Sequence, residues 1–231
     1  MNTVIPLWDV PTVPVEGSDA RFPVRHIYCV GRNYAEHAVE MGFSGREPPF
    51  FFLKPTDAVV AVPAGETGKI DYPSLTKNLH HEIELVVAIG VGGRDIRAAD
   101  AVRHIWGYAV GLDMTRRDLQ NDMKKQGRPW CIGKGFEQSA PIGPIVPIAS
   151  TGELTTGAIS LSVNGQVRQN ADLKDLIWNV NETIEHLSAA WTLQPGDLIY
   201  SGTPAGVAAV VSGDVMEGRV AGLPMLRVAV R

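Results

Sequence analysis

Cysteine is scarce in this chain: only Cys29 and Cys131 occur among 231 residues. They lie far apart and outside any C-x-x-C, so neither a disulfide framework nor a thiolate zinc site is indicated. No apolar run is long enough to cross a bilayer. A basic excess is missing too, with 21 Lys and Arg against 25 Asp and Glu and a formal net charge of −4. That balance gives no global attraction to nucleic acid or anionic membrane. The opening Met1-Asn2-Thr3-Val4-Ile5-Pro6 lacks the basic and apolar regions of a secretory leader, so a cytoplasmic protein with reduced thiols is expected. No repeat, linker or low-complexity tract interrupts the chain. With 45% hydrophobic and 20% charged residues, it can bury a substantial core as one domain.

The richest stretch is His80-His81-Glu82-Ile83-Glu84-Leu85-Val86-Val87-Ala88-Ile89, which predicts a β-strand. Strand alternation sends Glu82 and Glu84 to one face and Ile83, Leu85 and Val87 to the other. A second predicted strand, Ile105 to Asp113, carries Gly107, Ala109, Gly111 and then Asp113 on one face, small residues that would leave space beside a single acid. Three carboxylates on two rigid strands suit a hard divalent cation, Mg²⁺ or Mn²⁺. Taken alone, the E-x-E pair reads more simply as the wet face of an amphipathic strand, and other parts of the chain shift that balance.

Residues 1–24 contain Pro6, Pro11, Pro14 and Pro23, which exclude a regular helix and predict an extended arm ahead of one domain over 25–231. A short strand, His26 to Val30, ends at Gly31. One or two helical turns follow, stopped by Gly42, with His37 and Glu40 three apart on one face. A carboxylate beside an imidazole suits proton abstraction from water, although a surface pair has the same spacing. Flanking glycines would let this segment move as a lid. The aromatic strand Phe50 to Lys54 reads as core, with Lys54 structural or peripheral. Thr115 and Asp118 resemble a capping box, and Arg117 and Gln120 project together from the helix start beside Asp113. Lys134 sits between Gly133 and Gly135, where backbone permits close approach of a ligand. A plain surface turn would have the same pattern. Asn164-Gly165 predicts a hairpin, and Asn181 reads as the cap of a helix with Ile184, Leu187 and Trp191 on one face. Thr203 ends a strand in a glycine-rich loop suited to a substrate carboxylate.

Together these segments resemble the fumarylacetoacetate hydrolase family from about Val24 onward. The motifs are Gly31-Arg32-Asn33-Tyr34 with His37 and Glu40, His81-Glu82-Ile83-Glu84, and Gly111-Leu112-Asp113-Met114-Thr115 with Arg117 and Gln120. Lys134-Gly135-Phe136 and Ser201-Gly202-Thr203-Pro204-Ala205-Gly206-Val207 complete them. The resemblance implies an α+β fold, a mixed β-sheet roll or sandwich with peripheral helices, and a homodimer. It implies Mg²⁺ or Mn²⁺ on Glu82, Glu84 and Asp113. His37 and Glu40 would form the water-activating dyad, and Lys134 would act beside the metal. Substrate contacts would come from Arg32, Tyr34, Arg117, Gln120 and Thr203. Two departures bear on the pocket: Gly135 stands where many relatives carry serine, and Ala208-Ala209 where glycine-proline is frequent.

The activity so implied is hydrolysis of a carbon–carbon bond in an acylpyruvate, with a small keto acid as partner and neither nucleic acid nor membrane. A β-keto acid decarboxylase acting on oxaloacetate would use the same residues without attack by water. A non-catalytic small-acid binding protein would leave the dyad and metal site idle.

Overall fold

The computed structural model describes residues 2–34 and 46–231. The proline-rich arm has no helix or strand between residue 2 and Thr12, and it then folds back. Strands β1 (Thr12–Pro14) and β2 (Arg21–Pro23) pair as an antiparallel hairpin. Val13, Val15, Phe22 and Val24 are buried against the body, so apolar side chains anchor a segment that proline keeps from continuing into a larger sheet.

The body is strand-rich. Strands β3 (Ile27–Gly31), β4 (Phe50–Lys54), β5 (Val59–Ala61) and β6 (Thr67–Ile70) precede β7 (Leu79–His80), β8 (Ile83–Ile89), β9 (Ile105–Leu112) and β10 (Thr115–Arg116). Then follow β11 (Ala140–Ile142), β12 (Val146–Pro147), β13 (Ala158–Val163), β14 (Gln166–Asp172) and β15 (Leu198–Tyr200). The last are β16 (Ala209–Val210), β17 (Val215–Val220) and β18 (Leu226–Val230). One mixed sheet runs β4-β3-β15-β8-β9-β11-β5, with β12 beside β9, and a second runs β14-β13-β17-β18-β6. Mixed strand directions and few helices match the expected α+β roll or sandwich.

β8 is buried at every position because both of its faces are covered. Ile83, Leu85 and Val87 face Leu161, Met216 and Val228 of the second sheet in the larger core. Gly218 permits that close packing, since a Cβ there would stand 2.5 Å from Ile83 Cδ1. Val86 and Ala88 face the opposite way, toward Tyr200 and the N-terminal hairpin. The wet-face reading of the strand is thereby excluded. The space expected beside Gly111 is not open either: a Cβ there would stand 2.5 Å from Val86 and 2.7 Å from the Tyr200 ring.

Helix α1 (Arg117–Lys125) follows β10, but the expected Thr115–Asp118 box is absent. Arg116 occupies the cap position without a side-chain bond. Asp118 instead accepts from Thr76 Oγ1 at 2.5 Å and from the Lys77 N–H at 2.9 Å, tying the helix to a distant loop. Helix α2 (Val180–Ala190) is capped by Asn179 rather than Asn181, in a reciprocal box with Glu182. Ile184 and Leu187 are buried as expected, whereas Trp191 lies past the helix end against Tyr28 and Phe51. The Asn164-Gly165 turn joins β13 to β14, both residues having positive φ. No helix among the described residues is long and apolar enough to cross a membrane.

Candidate metal and substrate site

β8 and β9 pair antiparallel with Glu84 opposite Gly111, and the Asp113 N–H donates to Glu82 O at 2.9 Å. This register brings Glu82, Glu84 and Asp113 together. Each offers an oxygen, all lie within 4.8 Å of one another, and all three residues are buried. At that separation two unit charges repel by about 3.5 kcal/mol at an effective dielectric of ~20. Three such pairs approach the whole stability of an ordinary domain, roughly 5–15 kcal/mol. The cluster therefore requires cations, protons or both.

Three side chains supply part of the compensation. Lys134 Nζ bridges Glu82 at 2.8 Å and Asp113 at 2.6 Å. Lys54 Nζ lies 2.8 Å from the other Asp113 oxygen, and Arg117 pairs with the other Glu82 oxygen. Burial lowers the Lys134 pKa, but Asp113 and Glu82 outweigh it and the net shift is upward. Glu84 differs. It accepts the Gly202 N–H at 2.8 Å and has no ion pair among the described residues. Burial, followed by the Asp113 and Glu82 charges, raises its pKa well above the usual carboxylate range. A further cation would favour the ionised form of Glu84. A hard, oxygen-preferring divalent ion fits this donor set, and the cleft over it has about 20 Å³, room for one water-sized species.

The expected substrate contacts are mostly assembled around the carboxylates. Arg117, Gln120, Lys134, Thr203 and Arg32 line this cleft. Arg117 donates to Gln120 Oε1 at 2.5 Å, so the helical spacing places the pair as anticipated. Tyr34 is not in the lining; its ring is buried in the larger core, and its hydroxyl has no partner among the described residues. His37 and Glu40 lie outside the described residues.

Four participants escaped the sequence reading. Lys54 is not peripheral: its side chain is fully buried and also donates to Met114 O and Lys134 O. Its signal was alternation, which places Phe52 and Lys54 on one face of β4, and Phe52 lines the cleft. His80 receives the Arg117 Nε–H at its Nδ1, 3.3 Å away, so that nitrogen is unprotonated. Burial and then Arg117 push its pKa down to about 4. Gln169 and His81 form the other pair. Gln169 Oε1 accepts the Ile83 N–H at 3.2 Å, which fixes the amide, so Nε2 donates to Thr203 Oγ1 and to Pro204 O, both at 2.8 Å. His81 Nδ1, 2.9 Å from Oε1, must carry a proton. With a lone pair of Thr203 engaged, its own hydroxyl proton is free for an acceptor in the cleft.

Comparison with known proteins agrees with this arrangement. The family model described as fumarylacetoacetate (FAA) hydrolase C-terminal matches residues 26–231. A fumarylpyruvate hydrolase from Ralstonia sp is 47% identical over 184 residues, covering 80% of this chain and 93% of the relative. A mitochondrial oxaloacetate decarboxylase from Dictyostelium discoideum is 40% identical over 199 residues, covering 86% of this chain and 90% of that one. The crystal structure of fumarylpyruvate hydrolase from Pseudomonas aeruginosa, in complex with Mn²⁺ and pyruvate, superposes with a TM-score of 0.97. It is 56% identical, with 99% of each chain covered. The sequence blocks, the mixed sheets and the buried carboxylate cluster all place this chain in the fumarylacetoacetate hydrolase family.

Proposed function

We propose that this protein is a divalent-metal-dependent hydrolase of acylpyruvates, with 3-fumarylpyruvate and water giving fumarate and pyruvate. The observation that carries this reading is the buried carboxylate triad whose third member, Glu84, lacks a side-chain counter-ion among the described residues. The likeness to fumarylpyruvate hydrolases, one bound to Mn²⁺ and pyruvate, supports it. Mg²⁺ or Mn²⁺ on Glu82, Glu84 and Asp113 would supply a Lewis acid for the keto acid's oxygens.

The chain's own residues do the rest. Arg117 and Gln120 hold the pyruvyl carboxylate, and Thr203 donates its hydroxyl proton to it. His37, oriented by Glu40, takes a proton from water as the oxygen attacks the acyl carbonyl carbon. The bond from that carbon to the pyruvyl methylene then breaks, and its electron pair becomes an enolate. Lys134 stabilises the enolate's negative oxygen, and the His37 proton returns to the methylene carbon. With the triad ionised, it is matched one for one by Lys54, Lys134 and Arg117, so a divalent ion leaves the site two charges positive. That suits a carboxylate plus an enolate. Arg32, which also lines the cleft, meets the far end of the acid.

The test is ultraviolet loss of the fumarylpyruvate enolate, with Mg²⁺ and then with chelator, alongside oxaloacetate and acetylpyruvate. Metal-dependent loss with stoichiometric fumarate and pyruvate supports the hydrolase. Turnover of oxaloacetate alone, with carbon dioxide released, replaces it by the decarboxylase, a reading the Dictyostelium discoideum relative favours. A His37→Ala variant with full activity would refute the dyad. The same reading includes a homodimer, for which exposed Leu7 and Trp8 supply apolar surface and sedimentation equilibrium is the check.

A further inference from the structure

Beside the carboxylate cleft lies a second, larger cavity of about 540 Å³. Arg32, Phe52 and Trp130 line both spaces, so a ligand seated over the triad can extend directly into it. The Lys134 ammonium, 5.0 Å above the Phe52 ring, marks the junction. The walls beyond are aromatic. Phe50 and Trp130 meet edge to face with centroids 5.1 Å apart, and Phe52 stands 6.1 Å from Trp130. The charged residues in the lining are Arg32 and Arg128, and the Glu47 carboxylate acts electrostatically on Arg32 alone. Flat apolar walls with guanidinium groups select a flat anion.

The backbone is built to hold this arrangement. Arg32 has φ 57, a left-handed conformation unfavourable for a long side chain and therefore one that the surroundings must enforce. Gly31 before it has no Cβ, and one there would stand 2.0 Å from the Phe50 ring. The result is a guanidinium 5.3 Å from the Phe50 centroid and 5.7 Å from that of Trp130. Arg128 is placed by the end of α1, where Gly127 has φ 63 and the Arg128 N–H returns to Met123 O at 2.9 Å. Its side chain is exposed and has no ion pair among the described residues.

We propose that this cavity is the acyl-end subsite and that Arg128, with Arg32, reads a terminal carboxylate on a flat, unsaturated acyl chain. The inference rests on the acylpyruvate reading and narrows it. Dicarboxylic acylpyruvates long enough to cross the Phe52–Trp130 junction are the preferred substrates, over acetylpyruvate, which has no second carboxylate, and oxaloacetate, whose second carboxylate is too close to the first.

The test uses the full chain with Mg²⁺ and saturating pyruvate to fill the inner half. Calorimetry then compares fumarate with crotonate, which keeps the double bond and lacks the second carboxylate, on wild type and Arg128→Met. Wild type should favour fumarate, and the variant should lose about tenfold of that preference, as expected for one charge-assisted contact at a partly exposed site. The ratio of kcat/KM for fumarylpyruvate to that for acetylpyruvate should fall by a similar factor. Arg128 is exposed, so an unchanged melting temperature is the control for folding. An unaltered fumarate preference in the variant overturns the subsite. So does an altered sedimentation coefficient with unaltered preference, which would assign the cavity to a contact between copies. Selective fumarate binding by a wild type that hydrolyses no acylpyruvate refutes the hydrolase and upholds the subsite. Hydrolysis of fumarylpyruvate with an indifferent variant refutes the subsite alone.

Discussion

Replacing Lys54 by Met would separate two contributions that the structure superimposes. The substitution nearly preserves volume, so cavity formation is minor. It removes the ammonium 2.8 Å from Asp113, leaving a buried carboxylate short of one counter-charge, a loss of about 3–5 kcal/mol by analogy with broken buried pairs. It also removes the donor to Met114 O, about 1–3 kcal/mol for a buried acceptor left unsatisfied. Lys134 O keeps the Ser139 hydroxyl at 3.1 Å and adds little. The electrostatic part should return when a divalent ion occupies the triad, because the ion restores positive charge beside Asp113; the carbonyl part should not. At roughly 2–4 °C per kcal/mol for a chain of this size, Lys54→Met should melt about 8–30 °C below wild type in chelator. In saturating Mg²⁺ most of that deficit should vanish. The assay is differential scanning calorimetry of both proteins in both conditions. An equal deficit with and without metal would refute the charge-balance argument, and a deficit under ~1 kcal/mol would show that Lys54 is not a counter-ion.

Metal binding should also depend on pH. Glu84 has a raised pKa in the folded, metal-free chain, so the fold binds a proton that the unfolded chain has lost. Its contribution to metal-free stability is complete below the ordinary glutamate value of 4.5 and is lost as pH rises through the elevated one. Metal must displace that proton, so Mg²⁺ affinity by calorimetry should strengthen by up to about tenfold per pH unit in this window, and a flat profile would contradict the assignment. Gly202→Ala should cost about 2–4 kcal/mol in urea unfolding and weaken metal binding, since φ is 101 and a Cβ would stand 2.6 Å from Asn33 Cβ in the loop whose N–H holds Glu84. Gln169→Leu frees the Thr203 hydroxyl to turn from the substrate and should raise KM by about tenfold while sparing metal affinity. A fall in kcat at constant KM would argue against that role.

Much of the site is local and was therefore legible. Period-two alternation put Glu82 and Glu84 on one face, and helical spacing put Arg117 beside Gln120. The Asn164-Gly165 turn needed only its two left-handed residues. The true cap of α2 was also legible: Asn179 has Glu182 three residues on, the reciprocal pair that Asn181 lacks. Asp118 was not, because its partners Thr76 and Lys77 come from a loop some forty residues earlier and outcompete the local cap. Gln169 was hidden for the same reason, since it belongs to the second sheet and meets Ile83 only when the two sheets pack.

Lys54, His80, His81 and Gln169, hidden in sequence, set charge or proton position, and the need for Lys54 follows from how the triad is stabilised. Three carboxylates within 4.8 Å cannot be compensated by neighbours on their own strands, whose side chains point either into the same crowded space or into the opposite core. Counter-charges must arrive from other elements: Lys54 from β4, Lys134 from the single helical turn Cys131–Lys134, and Arg117 from α1. Each of those elements is held by its own apolar contacts, with Phe52 and Phe136 lying under the two lysines. The aromatic packing that shapes the cavity thus also presses the cations onto the acids. A change in the aromatic wall should therefore alter metal affinity as well as acyl selectivity, whereas a change at Arg128, which touches no member of the charge cluster, should alter selectivity alone.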